Sequence, residues 1–191
     1  MTAHHPALPP VAQAVETLSM GGAEHLAVRI ANELADRGHA SHLVVIEATG
    51  PLRERVAAGV QVHELDHARG SIRNPVAFLA SIRRGRQRLT DLVRQAGIGV
   101  MQTHLPGANF WGLLLQRAGV CPVIATIHNN QEFEYGDKDN PVRRTLRMRA
   151  YRDIIGRCPF TVAVSDDVRT SMCEQLGLPT DGTPRLRTVT N

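Results

Sequence analysis

Two adjacent glycines stand in the segment Leu18-Ser19-Met20-Gly21-Gly22-Ala23-Glu24, between an apolar, β-branched run from Val11 to Leu18 and a helical pattern from Ala23 to Arg37. A strand, a glycine turn and a helix in succession direct free backbone N–H groups and a positive helix end toward an anion. Glycine leaves no Cβ in the way of an approaching phosphate. The same pattern also serves close packing at a βα turn, so both uses stay open. Three further places carry polar chemistry next to apolar strands: Thr103-His104, Thr126-Ile127-His128-Asn129 and Val164-Ser165. A histidine there is a hydrogen-bonded turn residue or, where a ligand reaches it, a base or donor to a hydroxyl. His128 is the stronger candidate, because amides and an acidic, aromatic segment follow it, a composition suited to a sugar or another polar ligand. Ser165 is placed to cap a helix. Glu24 reads as a first-turn acid favoured by the helix dipole. Glu132, Glu134 and Asp137 read as a solvated loop.

These residues need a scaffold, and the chain supplies one in alternation. Strands are expected at Ser41 to Ile46, Val60 to Leu65, Ile98 to Thr103, Val123 to Ile127, Phe160 to Val164 and Arg185 to Thr190. Between them lie a short helix from Pro51 to Ala58 and longer ones from Pro75 to Ala96, Ala108 to Ala118, Pro141 to Ile155 and Asp166 to Leu176. The strands are near-continuous apolar runs, the mark of a sheet buried on both faces. The expected fold is α/β, a doubly wound, mainly parallel sheet with helices on both faces. Residues 1–10 are expected to be a loose tail, and residues 11–191 one Rossmann-like domain. In such sheets ligands bind outside the carboxyl ends of the strands, where Gly21, Gly22, His104, His128, Asn129 and Ser165 fall. Gln13 and Glu16 interrupt the first strand, which makes it either a weakened edge strand or a diverged one.

Composition narrows the classes. The 191 residues are 42% hydrophobic and 21% charged, enough for a packed core and too apolar for disorder. Three cysteines without a CxxC pair read as reduced thiols of a cytoplasmic protein, with no zinc site. No apolar run approaches the roughly 18 residues that span a bilayer. Arg83, Arg84, Arg86 and Arg88, and then Arg143, Arg144, Arg147, Arg149 and Arg152, form two basic helical runs. They read first as solvated faces and second as a weak peripheral contact with anionic lipid at the inner face of the membrane. Nucleic acid is not expected, since four Phe, two Tyr and one Trp supply no stacking motif. The full G-x-G-x-x-G pattern of a dinucleotide site is missing.

Taken in order, Leu18 to Glu24, Arg37-Gly38-His39, Thr103-His104, Thr126 to Asn129 and Val162 to Ser165 resemble the N-terminal domain of family 4 glycosyltransferases of the GT-B fold. The resemblance covers Val11 to Asn191. It implies a retaining transfer of a sugar from a nucleotide-sugar donor to a glycan or lipid acceptor held largely by this domain. It places Gly21 and Gly22 at the donor's phosphates, His128 at the sugar as the catalytic residue, and His104, Asn129 and Ser165 along the same cleft. It implies no metal and no cofactor beyond the donor itself. In the family a second α/β domain follows, with most of the nucleotide site, a basic pair and a pair of glutamates, whereas this sequence reaches Thr188-Val189-Thr190-Asn191. The expectation is an acceptor-side half with little activity alone, partnered by a separately encoded second half. The alternative is a non-catalytic binding module that kept the fold.

Overall fold

Seven strands lie in one parallel sheet in the order β3-β2-β1-β4-β5-β6-β7, a Rossmann-like α/β fold. The computed structural model describes residues 9–67, 75–129, 141–180 and 182–190. The tail up to residue 8, the loop expected after Asp66 from residue 68 on, and the loop carrying Glu132, Glu134 and Asp137 lie outside the described residues. Backbone proximity divides the chain into two compact units, residues 1–101 and 102–191.

The first unit holds β1 (Val11–Thr17), α1 (Gly22–Asp36), β2 (Ser41–Ala48), a short 3-10 helix (Pro51–Arg55), β3 (Val60–Glu64) and α2 (Pro75–Gln95). Strands β1 and β2 pair in parallel, as do β2 and β3. Alanines 23, 27 and 31 recur at one turn's spacing on α1 and are buried. Their small side chains let the helix lie close on the strands. Val15, Leu18, Val28, Leu43, Val45, Leu52 and Val60 fill the space around them, each large aliphatic contributing about 1.5–3 kcal/mol by burial. The expected helix from Pro51 to Ala58 is shorter, because the chain is already extended at Val56.

The first strand is not an edge strand. It stands between β2 and β4 in the sheet order, and Gln13 is buried within it. The register against β2 slips between Val15 and Thr17, where Ile46 and Glu47 of β2 stand opposite the single Glu16, so the extra residue lies in β2.

The strand β4 (Val100–His104) runs across the division between the units. The second unit continues with α3 (Leu105–Arg117), β5 (Val123–Ile127), α4 (Pro141–Arg157), β6 (Phe160–Ala163), α5 (Asp166–Leu176) and β7 (Leu186–Thr188). Strands β5, β6 and β7 pair in parallel. Trp111, Leu113 and Leu115 of α3, Val123 and Ile127 of β5, Tyr151 and Ile154 of α4, and Met172 and Leu176 of α5 are buried. A Cβ on Gly112 would come within 2.8 Å of Thr103 Cγ2 and 2.9 Å of Val123 Cγ1, so glycine lets α3 press onto the strands. Ser165 caps α5 as expected, its Oγ accepting from Val168 N–H at 3.2 Å. Gly177 closes that helix in the left-handed conformation, with φ 63°.

Helix α3 starts three residues before the expected Ala108, directly at the end of β4. Leu105 makes this possible by adopting φ 71°, a left-handed conformation that costs a non-glycine residue about 1–2 kcal/mol. Pro106 then sits in the first turn, where its missing N–H is not needed. The residue held at this junction is His104.

Candidate functional site

In the first unit the glycine turn is organised by its own side chains. Thr17 Oγ1 and Ser19 Oγ are 2.8 Å apart, and Ser19 Oγ donates to Glu24 Oε1 at 2.9 Å. Glu24 is buried, 7% exposed, and folds back over Gly21, where a Cβ would collide with its carboxylate. Gly22 is exposed, and a Cβ there would meet nothing within 4 Å. The two glycines are therefore different. Gly21 makes room for Glu24, whereas Gly22 leaves the helix start open to an outside ligand. Glu24 is more than a first-turn acid, since it also accepts from Ser19 and fills the space that Gly21 leaves. Gly50 supports the turn from behind. Its missing Cβ admits the Leu18 carbonyl, 2.5 Å from where that atom would stand, and Leu52 N–H donates to the same carbonyl at 3.1 Å.

In the second unit the ends of β4 and β5 are joined by polar contacts. Gln102 Nε2 donates to Thr126 Oγ1 at 2.9 Å. Asn109, buried on the first turns of α3, accepts from Thr103 Oγ1 at 2.7 Å and donates to the Thr126 carbonyl at 3.1 Å. These bonds fix the residue before His104 and the residue two before His128. The two rings then meet, His104 Nδ1 lying 3.0 Å from His128 Nε2 with the ring planes 41° apart.

Burial sets the charge of this pair. His104 is fully buried, and His128 is half-buried. Loss of solvent pushes His104 down to about 3, with the neighbouring charge of His128 adding to the effect, and burial alone pushes His128 down to about 4. Both rings are thus neutral at pH 7. A contact between two neutral imidazole nitrogens holds one proton, donated by one ring and accepted by the other. His104 has no surface to offer a ligand and reaches one only through His128. Asn129 follows half-buried, and Ser165, also half-buried, has its oxygen engaged in the helix cap.

The basic runs divide. Arg83, Arg84, Arg86 and Arg88 are exposed on α2, and Arg144 and Arg149 on α4. The side chain of Arg143 lies outside the described residues. Arg152 is a structural residue, donating from Nε and Nη2 to the Leu176 carbonyl at 2.9 and 2.6 Å at the end of α5. No helix among the described residues is long and apolar enough to cross a membrane. Cys121, Cys158 and Cys173 are buried free thiols. An open surface groove of about 610 Å3 in the first unit is lined by His63, Glu64, Arg88 and Asp91 among others. Its lining includes none of the residues expected to carry the chemistry, and it is too open to enclose a ligand.

Sequence reasoning passed over Asn109, Gln102, Gly50 and Gly112. Asn109 had a signal: one amide inside the apolar stretch Gly107-Ala108-Asn109-Phe110-Trp111 needs a buried partner. The glycines had none, because only the fold shows what approaches them.

The parallel seven-stranded sheet is a Rossmann-like α/β fold, which carries an open glycine at one helix start and, separately, a pair of neutral histidines at strand ends. The sequence model of Glycosyltransferase Family 4 matches residues 20–183, most of the chain, and the chain belongs to that family. Among solved structures it is similar to the Anabaena protein HepE, crystallised in complex with UDP and glucose, at 14% identity and TM-score 0.65 over 96% of this chain and 45% of that one. Sucrose-phosphate synthase from Thermosynechococcus elongatus gives TM-score 0.68 at 13% identity, over 96% and 48% of the two chains. A glycosyltransferase from Rickettsia africae gives TM-score 0.63 at 13% identity, over 98% and 44%. The chain thus spans a little under half the length of these structures. No curated protein matches it.

Proposed function

We propose that this chain is the acceptor-side half of a retaining glycosyltransferase, which passes a sugar from a nucleotide-sugar donor to a glycan or lipid acceptor. Gly21 and Gly22 lead the backbone N–H groups of the α1 start to the donor's phosphates, which gain charge as the nucleotide leaves and are stabilised by fixed donors. His128 is the catalytic residue, a neutral ring hydrogen-bonded to the transferred sugar. Asn129 and Ser165 add polar contacts, and His104 acts behind His128. No metal has a part in this reading. The observation that carries it is the family match over residues 20–183 combined with the neutral His104–His128 pair at the ends of β4 and β5.

Residues 1–191 span under half the length of HepE and of full-length sucrose-phosphate synthase, and in this reading they turn over little nucleotide sugar by themselves. The test is transfer of label from a panel of nucleotide sugars, by the chain alone and with a donor-binding domain supplied in trans. Transfer in the mixture, abolished by His128→Ala, supports the proposal. Robust turnover by the chain alone overturns its inactivity, and no turnover in either arm with any donor overturns the transferase reading. A cytoplasmic protein touching anionic lipid fits the exposed Val76 and Leu79 beside the α2 arginines, and Val142 and Leu146 beside Arg144 and Arg149. Salt-sensitive sedimentation with anionic vesicles checks that contact.

The second reading, a non-catalytic binding module, is favoured by Glu24. Its carboxylate already lies over Gly21, and a phosphate arriving there meets a like charge. Tight binding of a partner protein that survives replacement of Gly22 by Trp distinguishes that module from the enzyme.

A further inference from the structure

The groove at the edge of the sheet in the first unit rests on a buried polar group that folding alone does not require. His42 of β2 shares a face with Val44 and Ile46 and is only 3% exposed, a polar ring where its neighbours on that face are aliphatic. The ring's one hydrogen-bond partner among the described residues is His63 of β3. Nδ1 of His42 lies 3.0 Å from Nε2 of His63, with the ring centres 5.2 Å apart and the planes 17° apart. A face-to-face stack with that centre spacing would hold the nitrogens further apart, so the rings lie side by side and share one in-plane hydrogen bond. Burial lowers both rings from the ordinary histidine value, which keeps the pair neutral at pH 7. An aliphatic side chain at position 42 would serve the core without the cost of burying a polar ring. What the histidine adds is a fixed His63, and His63 lines the groove.

Two walls complete the groove, whose volume of about 610 Å3 lies within the range of ligand clefts, roughly 300–1,000 Å3. On one side Gln61, His63 and Leu65 alternate along β3, the edge strand. On the other, Arg88, Asp91, Leu92 and Gln95 recur at helical spacing on α2, beside the buried Leu89 and Val93 that hold the helix to the core. Arg88, Gln61 and Gln95 make no side-chain hydrogen bond or ion pair among the described residues. Asp91 Oδ1 accepts from Gln87 at 2.9 Å, and Glu64 faces Arg53 at 3.6 Å. The groove thus offers donors and acceptors together, and its charges balance. A phosphate entering it meets the carboxylates of Glu64 and Asp91, and a cation meets Arg88. A neutral sugar suits the whole set, because each hydroxyl both donates and accepts and its C–H face can rest on the half-buried Leu65 and Leu92. An open groove beside a strand fits a chain lying along it better than a compact molecule. We propose that this groove binds a neutral oligosaccharide, at a site separate from Gly22 and His128.

The test is a titration of the chain at pH 7 with cellopentaose, maltopentaose and chitopentaose, with the corresponding monosaccharides and with inorganic phosphate. The His63 ring, the Arg88 Nε–H and the side-chain amides of Gln61 and Gln95 are followed by NMR. The expected result is saturable shifts at these groups with at least one pentasaccharide, which binds more tightly than its monosaccharide. Arg88 and Gln95 are exposed helix positions, so the double variant Arg88→Ala, Gln95→Ala should keep its thermal midpoint and weaken that binding about tenfold or more. No saturable shift with any of the three pentasaccharides at millimolar concentration overturns the proposal. So does binding that the double variant leaves unchanged, or a response of the groove to phosphate alone. Because the probes carry no nucleotide, failure here leaves the transferase reading standing, and a chain that binds a pentasaccharide in the groove but no nucleotide sugar refutes only the transferase reading.

Discussion

Replacing Asn109 by alanine removes the buried amide that ties β4 to β5. The side chain accepts from Thr103 Oγ1 at 2.7 Å and donates to the Thr126 carbonyl at 3.1 Å, both in the interior. The Tyr151 hydroxyl stands 3.5 Å away, too far to contribute much. Each buried group left unsatisfied costs about 1–3 kcal/mol, so the two together amount to roughly 2–6 kcal/mol. Against a domain stability of about 5–15 kcal/mol this is a large share. Trp111 is the single tryptophan and is buried two residues along the same helix, so urea unfolding followed by its fluorescence reports on this region. With a urea slope of about 2 kcal/mol per molar, the midpoint falls by about 1–3 M. Asn109→Asp sharpens the test. It keeps the acceptor for Thr103, but at neutral pH it loses the donor to Thr126 and buries a charge. Its deficit relative to Asn109→Ala should therefore shrink as acid protonates the new carboxyl and restores a donor. A midpoint in Asn109→Ala within about 0.25 M of the wild type would refute the claim that this amide clamps the strand ends.

Three further perturbations follow from the same geometry. Gly112→Ala forces a methyl between Thr103 and Val123 at 2.8 and 2.9 Å and should destabilise by about 1–3 kcal/mol, while Gly22→Ala, with open space around it, should leave the thermal midpoint unchanged or slightly raised; calorimetry of both variants checks the contrast. Ser165→Ala loses the cap on α5 and should cost about 1 kcal/mol in urea unfolding. For His128, burial holds the folded ring at about 4 against an ordinary value of 6.5. A depressed histidine contributes stability that is present above the unfolded value and is lost as pH falls from 6.5 toward 4, about 2 kcal/mol of it by pH 5. His42, His63 and His104, also lowered by burial, act in the same direction, so the urea midpoint should fall steeply below pH 6.5; a midpoint flat from pH 7 to pH 5 contradicts the buried neutral rings.

Much of the fold was legible because it rests on period and composition. The apolar runs from Ser41 and Val123 have no polar face, and only a doubly covered sheet buries such strands. Ser165 was legible as a cap because its hydroxyl has one local use ahead of an acidic first turn. What escaped depended on contacts far apart in sequence. Gln13 and Glu16 read as signs of either a weakened edge strand or a diverged one; the strand is central, Gln13 is buried within it, and Glu16 stands where β2 carries an extra residue. The start of α3 was misplaced because the left-handed Leu105 breaks a local rule. Such violations persist where the surrounding structure fixes them, and here they hold His104. The two histidines lie 24 residues apart, and no local pattern shows that their rings meet. The glycine pair left phosphate approach and close packing both open; the contacts that distinguish Gly21, whose Cβ space is taken by Glu24, from the open Gly22 are visible only in the fold.

The central proposal is that the open helix start at Gly22 and, separately, the His128 ring each contact a nucleotide sugar, and a titration of the chain with nucleotide sugars, UDP-glucose among them, with a donor-binding domain supplied in trans, tests it most directly. Backbone amide and imidazole NMR signals are followed in the wild type and in Gly22→Trp. The account predicts saturable shifts at the Gly22 N–H and the His128 ring with at least one donor, and loss of the Gly22 response in the variant while the fold is retained. Saturable binding of a nucleotide sugar that leaves both signals unmoved, or no binding of any donor at millimolar concentration, would contradict it.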